Sequence, residues 1–274
     1  MSTSSAFFSL LQKRIEKVDS LLCVGLDPHQ AELENPSAEA AVAFCEKLIK
    51  NTEHVACSYK PNAAFFEQFG SQGWAALEKV KAMIPEDIPI IFDCKRGDIG
   101  STSAAYAIGN FQLGHCLTIS PYLGEDGVTP FVDTAEKAAF VLCKTSNPGS
   151  NDLQTMMVAP SNSAETTPIP LYMHVAALCE KWSSKHGNIG LVVGATDTKA
   201  LQDIRAKHPD VWFFYGVGWF TYIPRHRCAR RILAGSVGGW IKCTGNRDHI
   251  ADFERHIKSR GPERSSRRVP KADK

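Results

Sequence analysis

The chain has 274 residues, of which 43% are hydrophobic and 22% charged, enough to bury one large core and too rich in folding-competent side chains for wholesale disorder or a collagen-like repeat. The formal net charge of +2 averages two unlike segments. Residues 1–218 carry 17 basic against 24 acidic side chains, whereas residues 219–274 carry 14 against 5, and the Arg to Lys ratio moves in step from 3:14 to 10:4. In chain order, Phe7, Phe8, Leu11, Ile15 and Val18 recur at helical spacing and predict an amphipathic N-terminal helix rather than a secretory signal. No apolar run reaches the ~20 residues of a membrane span, so no membrane partner is expected.

Short apolar runs then alternate with helical patterns. The predicted strands are Leu21–Asp27, Val55–Asn62, Ile88–Asp93, His115–Ser120, Ala139–Thr145, Asn188–Gly194 and Val211–Tyr215. Predicted helices between them include Ser37–Lys50, with Asn35 as cap and Pro36 at its first position, and Trp74–Met83, stopped by Pro85. Continuous apolar strands separated by helices point to a covered parallel sheet. Seven strands, with an eighth at Gly239–Thr244, predict an α/β fold of the (β/α)8 TIM-barrel kind, with a doubly wound open sheet as the competing architecture. The polar stretch Ser150–Pro170 follows the fifth strand, where it reads as a lid over a barrel mouth or a variable surface insertion.

Nine cysteines without a Cys-x-x-Cys pair, five of them inside predicted strands, suit reduced thiols in the cytoplasm. His226 and Cys228 have no second pair beside them, so no metal site is expected.

Barrel enzymes carry their reacting groups at the carboxyl ends of strands. Those ends hold Asp27 in Gly25-Leu26-Asp27-Pro28, Lys60 in Lys60-Pro61-Asn62, and the run Asp93-Cys94-Lys95-Arg96-Gly97-Asp98. Asp27, Lys60 and Asp93 lie 33 residues apart, about one strand-helix unit, so they would project from consecutive strands. Asp93 and Lys95 share a strand face, with Cys94 pointing away. Lys60, Asp93, Lys95 and Asp98 would together form an alternating array of ammonium and carboxylate groups. Such an array keeps lysine charged and held, which suits proton donation to a carbanion. An ordinary salt-bridged strand end would also contain Asp-x-Lys-x-x-Asp, and Ser146 and Asn147 could be turn residues ahead of Pro148-Gly149.

Taken together, Phe92-Asp93-Cys94-Lys95-Arg96-Gly97-Asp98-Ile99-Gly100-Ser101-Thr102, Gly25-Leu26-Asp27-Pro28, Lys60-Pro61-Asn62 and Thr145-Ser146-Asn147-Pro148-Gly149 resemble the longer branch of the orotidine 5′-phosphate decarboxylase family over residues 20–218. The resemblance implies decarboxylation of orotidine 5′-monophosphate to UMP, in pyrimidine biosynthesis, without cofactor or metal. It implies that Lys95 protonates C6, that Asp93 sits against the departing carboxylate, and that Lys60 orients Asp93 and touches the ribose. Asp27 would bind ribose hydroxyls, Asn62 would line the substrate site, and Ser146 would read the pyrimidine amide edge. Asp98, Ile99 and Thr102 would reach the site of the neighbouring subunit, which implies a homodimer with shared active sites.

After the seventh strand the family pattern has a glycine-rich phosphate gripper. Gly216-Val217-Gly218 fits it, and Arg247 stands at about the right distance for the phosphate arginine, but Trp219-Phe220-Thr221-Tyr222 replaces the glutamine-bearing turn. The chain therefore divides into a decarboxylase-like barrel, residues 1–218, and an atypical basic segment, residues 219–274, read either as a shifted frame or as a lineage-specific tail. Loss of the last helix and strand would leave two open strand edges, poor stability and reduced turnover. Two other functions compete: a Schiff-base aldolase on the same barrel with Lys95 or Lys60 as nucleophile, and an impaired homologue whose basic tail binds polyanions. For the tail, solvated disorder outweighs nucleic-acid binding.

Overall fold

The computed structural model describes residues 5–159, 167–195, 197–217 and 220–222. Seven of its strands run parallel: β1 (Leu22–Leu26), β2 (Ser58–Pro61), β3 (Ile91–Arg96), β4 (Cys116–Ile119), β5 (Ala139–Lys144), β8 (Ile189–Val193) and β9 (Phe213–Val217). They coincide with the seven apolar runs, because strands buried on both faces must be apolar throughout. Two short strands, β6 (Met157–Val158) and β7 (Ile169–Pro170), pair with each other outside the main sheet. The helices are α1 (Ala6–Val18), α2 (Ala38–Thr52), α3 (Ala64–Glu67), α4 (Gly70–Met83), α5 (Gly100–Asn110), α6 (Glu125–Val128), α7 (Leu171–Ser183) and α8 (Thr198–Lys207).

With β10 at Phe220–Tyr222, the sheet order is β2-β1-β10-β9-β8-β5-β4-β3, and the bridges Tyr59 to Ile90 and Asn62 to Asp93 join β3 back to β2. The ring is therefore closed, which rules out the doubly wound open sheet. Its eighth member corrects the sequence reading. Strand β10 (Phe220–Tyr222) follows β9 after only two residues and runs antiparallel to both β9 and β1, with Phe220 opposite Val217 and Val24, and Tyr222 opposite Tyr215 and Leu22. The expected open edges of β1 and β9 are thus paired. Unmet backbone N–H and C=O groups on two facing edges favour any strand-forming segment that can reach them, and Phe-Thr-Tyr directly after β9 is such a segment. Gly239–Thr244, Arg247, the His226 and Cys228 pair and the other readings of the basic segment beyond residue 222 lie outside the described residues, as does Gly218.

Helix α1 closes the floor of the barrel. Ser5 caps it, its Oγ accepting from Phe8 N at 3.2 Å. Phe7, Phe8 and Leu11 are buried against Cys23, Cys57, Ile91, Phe140, Trp212 and Phe214, side chains near the amino ends of the strands. Phe8 stacks on Trp212 at 5.2 Å and meets Phe140 edge-on at 5.7 Å. Phe140 needs a glycine beside it, since a Cβ on Gly190 would lie 2.4 Å from its ring. Arg14 ties α1 to the wall, donating to the carbonyls of Ala56 and Glu53 and pairing with Asp87 at 2.8 Å.

Two helix starts differ from expectation. The cap of α2 is Ser37, whose Oγ accepts from Ala40 N at 3.1 Å, not Asn35 with Pro36 as first residue. A hydroxyl one residue before the helix satisfies a free amide that the upstream Asn35 does not reach. Helix α4 begins at Gly70, a turn before Trp74, because α3 and α4 pack closely there: a Cβ on Gly73 would overlap the carbonyl oxygen of Phe66. Among the described residues no helix is long and apolar enough to cross a membrane.

Candidate active site

The carboxyl ends of β1, β2 and β3 bring Asp27, Lys60, Asp93 and Lys95 into one chain of alternating charge. Lys60 Nζ lies 3.1 Å from both Asp27 carboxylate oxygens and 3.4 Å from Asp93 Oδ2. Lys95 Nζ donates to Asp93 Oδ1 at 2.7 Å. Asn62 Nδ2 adds a 3.3 Å bond to Asp93 Oδ2, and Thr118 Oγ1, on β4, a 2.8 Å bond to Asp93 Oδ1. The Asp93 carboxylate thus accepts from four donors, three on β2, β3 and β4 and one in the turn after β2.

Burial separates the groups into two kinds. The side chains of Lys60 and Asp93 are each 9% exposed, whereas that of Lys95 is 50% exposed. Lys95 also stands in the left-handed region at φ 47°, where β3 breaks register against β4. A non-glycine residue held there is strained, a common condition at reactive sites.

The electrostatics follow from that placement. Burial alone would raise the Asp93 carboxyl, but Lys60 and Lys95 outweigh it and hold the group below the ordinary carboxylate value. Burial would likewise favour neutral Lys60, yet Asp27 and Asp93 prevail and raise its ammonium above the usual lysine range. Asp27 is pushed up by burial despite Lys60. Beneath the array, burial drives the Cys23 thiol up to about 12, so it stays neutral near pH 7. An ammonium stabilised in this way is a poor nucleophile, which counts against a Schiff base on Lys60.

The remaining expected residues are distributed more widely. Asp98 does not join the array within the chain: its Oδ1 accepts from Ile99 N at 2.7 Å, and its backbone is held by Ser103 Oγ. Asp27, not Asp98, supplies the second carboxylate. Ile99 is 62% exposed and Thr102 lies exposed one turn further on. Ser146 is exposed at the end of β5, its backbone pressed on Gly194, where a Cβ would lie 2.9 Å from Ser146 N. Gly216 lies in β9, opposite Thr221 of β10.

Two residues in the carboxyl halves of strands carry no role in the sequence reading. Lys144, 3% exposed, donates to Ser150 Oγ at 2.9 Å and pairs with Asp197 at 3.6 Å. A polar residue closing an apolar strand is the same signal that marks Lys60. Thr118 gives almost no signal, being one hydroxyl inside Cys116-Leu117-Thr118-Ile119. The stretch after β5 is partly ordered by Gln154, which accepts from Thr145 N and donates to Thr145 Oγ1, both at 2.8 Å, and by the β6–β7 pair; residues 160–166 of the expected lid lie outside the described set. Among the described residues no group of three His, Cys, Asp or Glu side chains is placed to hold a metal ion, and the seven described cysteines are free and buried.

Comparison with known proteins agrees with this geometry. Residues 20–215 match the family described as Orotidine 5′-phosphate decarboxylase / HUMPS family. An orotidine 5′-phosphate decarboxylase of Roseiflexus castenholzii is 45% identical over 210 residues, 75% of this chain and 74% of that protein. One of Halorubrum lacusprofundi is 44% identical over 219 residues, 78% of this chain and 75% of that protein. The solved structure of Leishmania donovani OMP decarboxylase superposes with a TM-score of 0.69 at 48% identity, covering 79% of this chain and 80% of the other.

Proposed function

The chain belongs to the orotidine 5′-phosphate decarboxylase family, and from that premise we propose how its residues divide the conversion of orotidine 5′-monophosphate to UMP and carbon dioxide. The bond between C6 and the carboxylate breaks, carbon dioxide leaves, and the electron pair stays on a ring carbon with little resonance relief. Lys95 gives its proton to C6, forming UMP, and recovers one from solvent, to which its half-exposed side chain has access. Asp93 faces the departing carboxylate and keeps Lys95 aimed. Lys60, too buried to exchange protons freely, fixes Asp93 from the other side and offers its remaining reach, with Asp27, to the ribose hydroxyls.

The observation that carries this reading is the Asp93 carboxylate held ionised by four donors, with a single half-exposed ammonium 2.7 Å away. Charge fixed before substrate arrives needs no reorganisation when the carbanion develops, and that is where such a site gains most. Asn62 lines the substrate site and Ser146 addresses the pyrimidine edge. Gly216, Gly218 and Arg247 are assigned to the phosphate. A cytoplasmic location is supported by the seven described cysteines, which are free thiols.

Asp98, Ile99 and Thr102 serve the site of a second copy, a role supported by Asp98 standing outside its own array and by the exposure of Ile99. One experiment tests both parts. With orotidine 5′-monophosphate followed by ultraviolet absorbance, Lys95→Ala and Asp98→Ala are each expected to lose about a thousandfold or more in kcat. Mixing the two variants is expected to restore turnover, because one site of the mixed dimer is intact. Undiminished turnover in Lys95→Ala would remove the proton-donor assignment, and a mixture as inactive as its components would remove the shared site.

A further inference from the structure

Asp93 and Lys95 are held by β4 as well as by each other. Where β3 passes β4, Phe92 is opposite Leu117 and Arg96 opposite Ile119, so four steps along β3 span two along β4. The surplus residues form a bulge, and Lys95 lies within it in the left-handed region. The strand pairing that the bulge forfeits is replaced by one side chain. Thr118, 1% exposed on β4, accepts from Lys95 N at 3.0 Å and donates to Asp93 Oδ1 at 2.8 Å through the same oxygen.

The direction of these bonds is fixed by proton count. A backbone N–H can only donate, so the Thr118 oxygen must accept from Lys95, and its single proton is then free for the carboxylate. The hydroxyl therefore couples the backbone conformation of the proton donor to the orientation of the carboxylate beside it. We propose that Thr118 is a positioning residue for the decarboxylation: its hydroxyl pins the Lys95 backbone in the bulge and the Asp93 carboxylate against the Lys95 ammonium. This inference rests on the decarboxylase reading of the site.

The groups that face Asp93 define what Thr118 can alter. Lys60 and, behind it, Asp27 come from β2 and the end of β1, Lys95 from β3 itself, and Asn62 from the turn after β2; the neutral thiol of Cys23 lies below. From β4 the contact on Asp93 Oδ1 is the uncharged hydroxyl. Because that hydroxyl is among the groups that hold the Asp93 carboxyl down, its loss moves the carboxyl upward. The ionised form would then be lost at a higher pH on acidification.

The test compares Thr118→Val, which keeps the shape, Thr118→Ser, which keeps the hydroxyl, and Thr118→Ala, which supplies the hydroxyl-free measurement should the valine variant not fold. Thr118→Val is expected to lower kcat about tenfold to a hundredfold, with KM within about twofold. It should also shift the acid limb of the kcat profile to higher pH and speed hydrogen exchange at the Lys95 amide. Thr118→Ser is expected to restore all three. A hydroxyl-free variant with the parent kcat and acid limb, or one that changes only KM or only Tm, overturns the proposal. Carboxyl 13C titration of Asp93 separates this outcome from failure of the decarboxylase reading. If the parent protein does not turn over orotidine 5′-monophosphate, a raised Asp93 titration in Thr118→Val still supports the positioning role, and an unchanged one overturns it.

Discussion

The two sides of the barrel are built by different rules. From β1 to β3 the strands run parallel and end together, so Asp27, Lys60, Asp93 and Lys95 converge at one mouth. At β9 and β10 the chain reverses, and three residues complete the ring antiparallel. Chemistry at the mouth needs parallel strands, because only their carboxyl ends share a side. Closure needs only hydrogen-bond partners for two edges, and strand direction is immaterial to it. The reversal has a spatial price: β10 ends at Tyr222 opposite Leu22, the first residue of β1, at the opposite end of the barrel from the charged array.

Three substitutions probe this contrast, all on the side without the charges. Phe8→Ala should have the largest effect, about 3–5 kcal/mol of stability, since a fully buried ring stacked on Trp212 and edge-on to Phe140 would leave a cavity at the floor. Equilibrium denaturation measures it, and a loss under about 1 kcal/mol would show that α1 is not what seals the barrel. Thr221→Pro should cost about 2 kcal/mol, because proline in mid-strand cannot donate to the ladder and Thr221 sits between Cys23 and Gly216. An unchanged Tm would mean that β10 is not the closing strand. Ser5→Ala, which removes the cap of α1, should cost about 1 kcal/mol and leave kcat alone; a fall in kcat instead would mean that the floor helix governs the mouth.

Most of the parallel framework was legible from the sequence because seven buried strands leave seven uninterrupted apolar runs. The triplet Asp27, Lys60 and Asp93 was legible because each polar residue ends such a run at an equal interval. Strand β10 was not, because Phe220-Thr221-Tyr222 has no sequence feature that selects antiparallel return over a helix and a later strand; the two open edges decide it, and they exist only after folding. Thr118 was invisible for a related reason. A threonine in a buried strand is ordinary until a bulge on its neighbour leaves an amide and a carboxylate within reach of one hydroxyl. Asp98 follows Lys95 by only three residues, but within the chain its carboxylate accepts from the Ile99 amide rather than from the array, and the neighbouring-subunit role that the resemblance implies for it is not visible in a single chain. Arg247 and Gly218, assigned by resemblance, lie outside the described residues.

The seam between β1 and β10 joins residues two hundred positions apart, Leu22 with Tyr222. Closing so long a loop carries the greatest entropic penalty of any pairing in the ring, and β10 is the last of the described strands to leave the ribosome. The ring is thereby expected to form vectorially: β1 through β9 pair with neighbours already made, and the seam with β10 zips last. In unfolding the same seam is the place where hydrogen exchange should first reveal an open state.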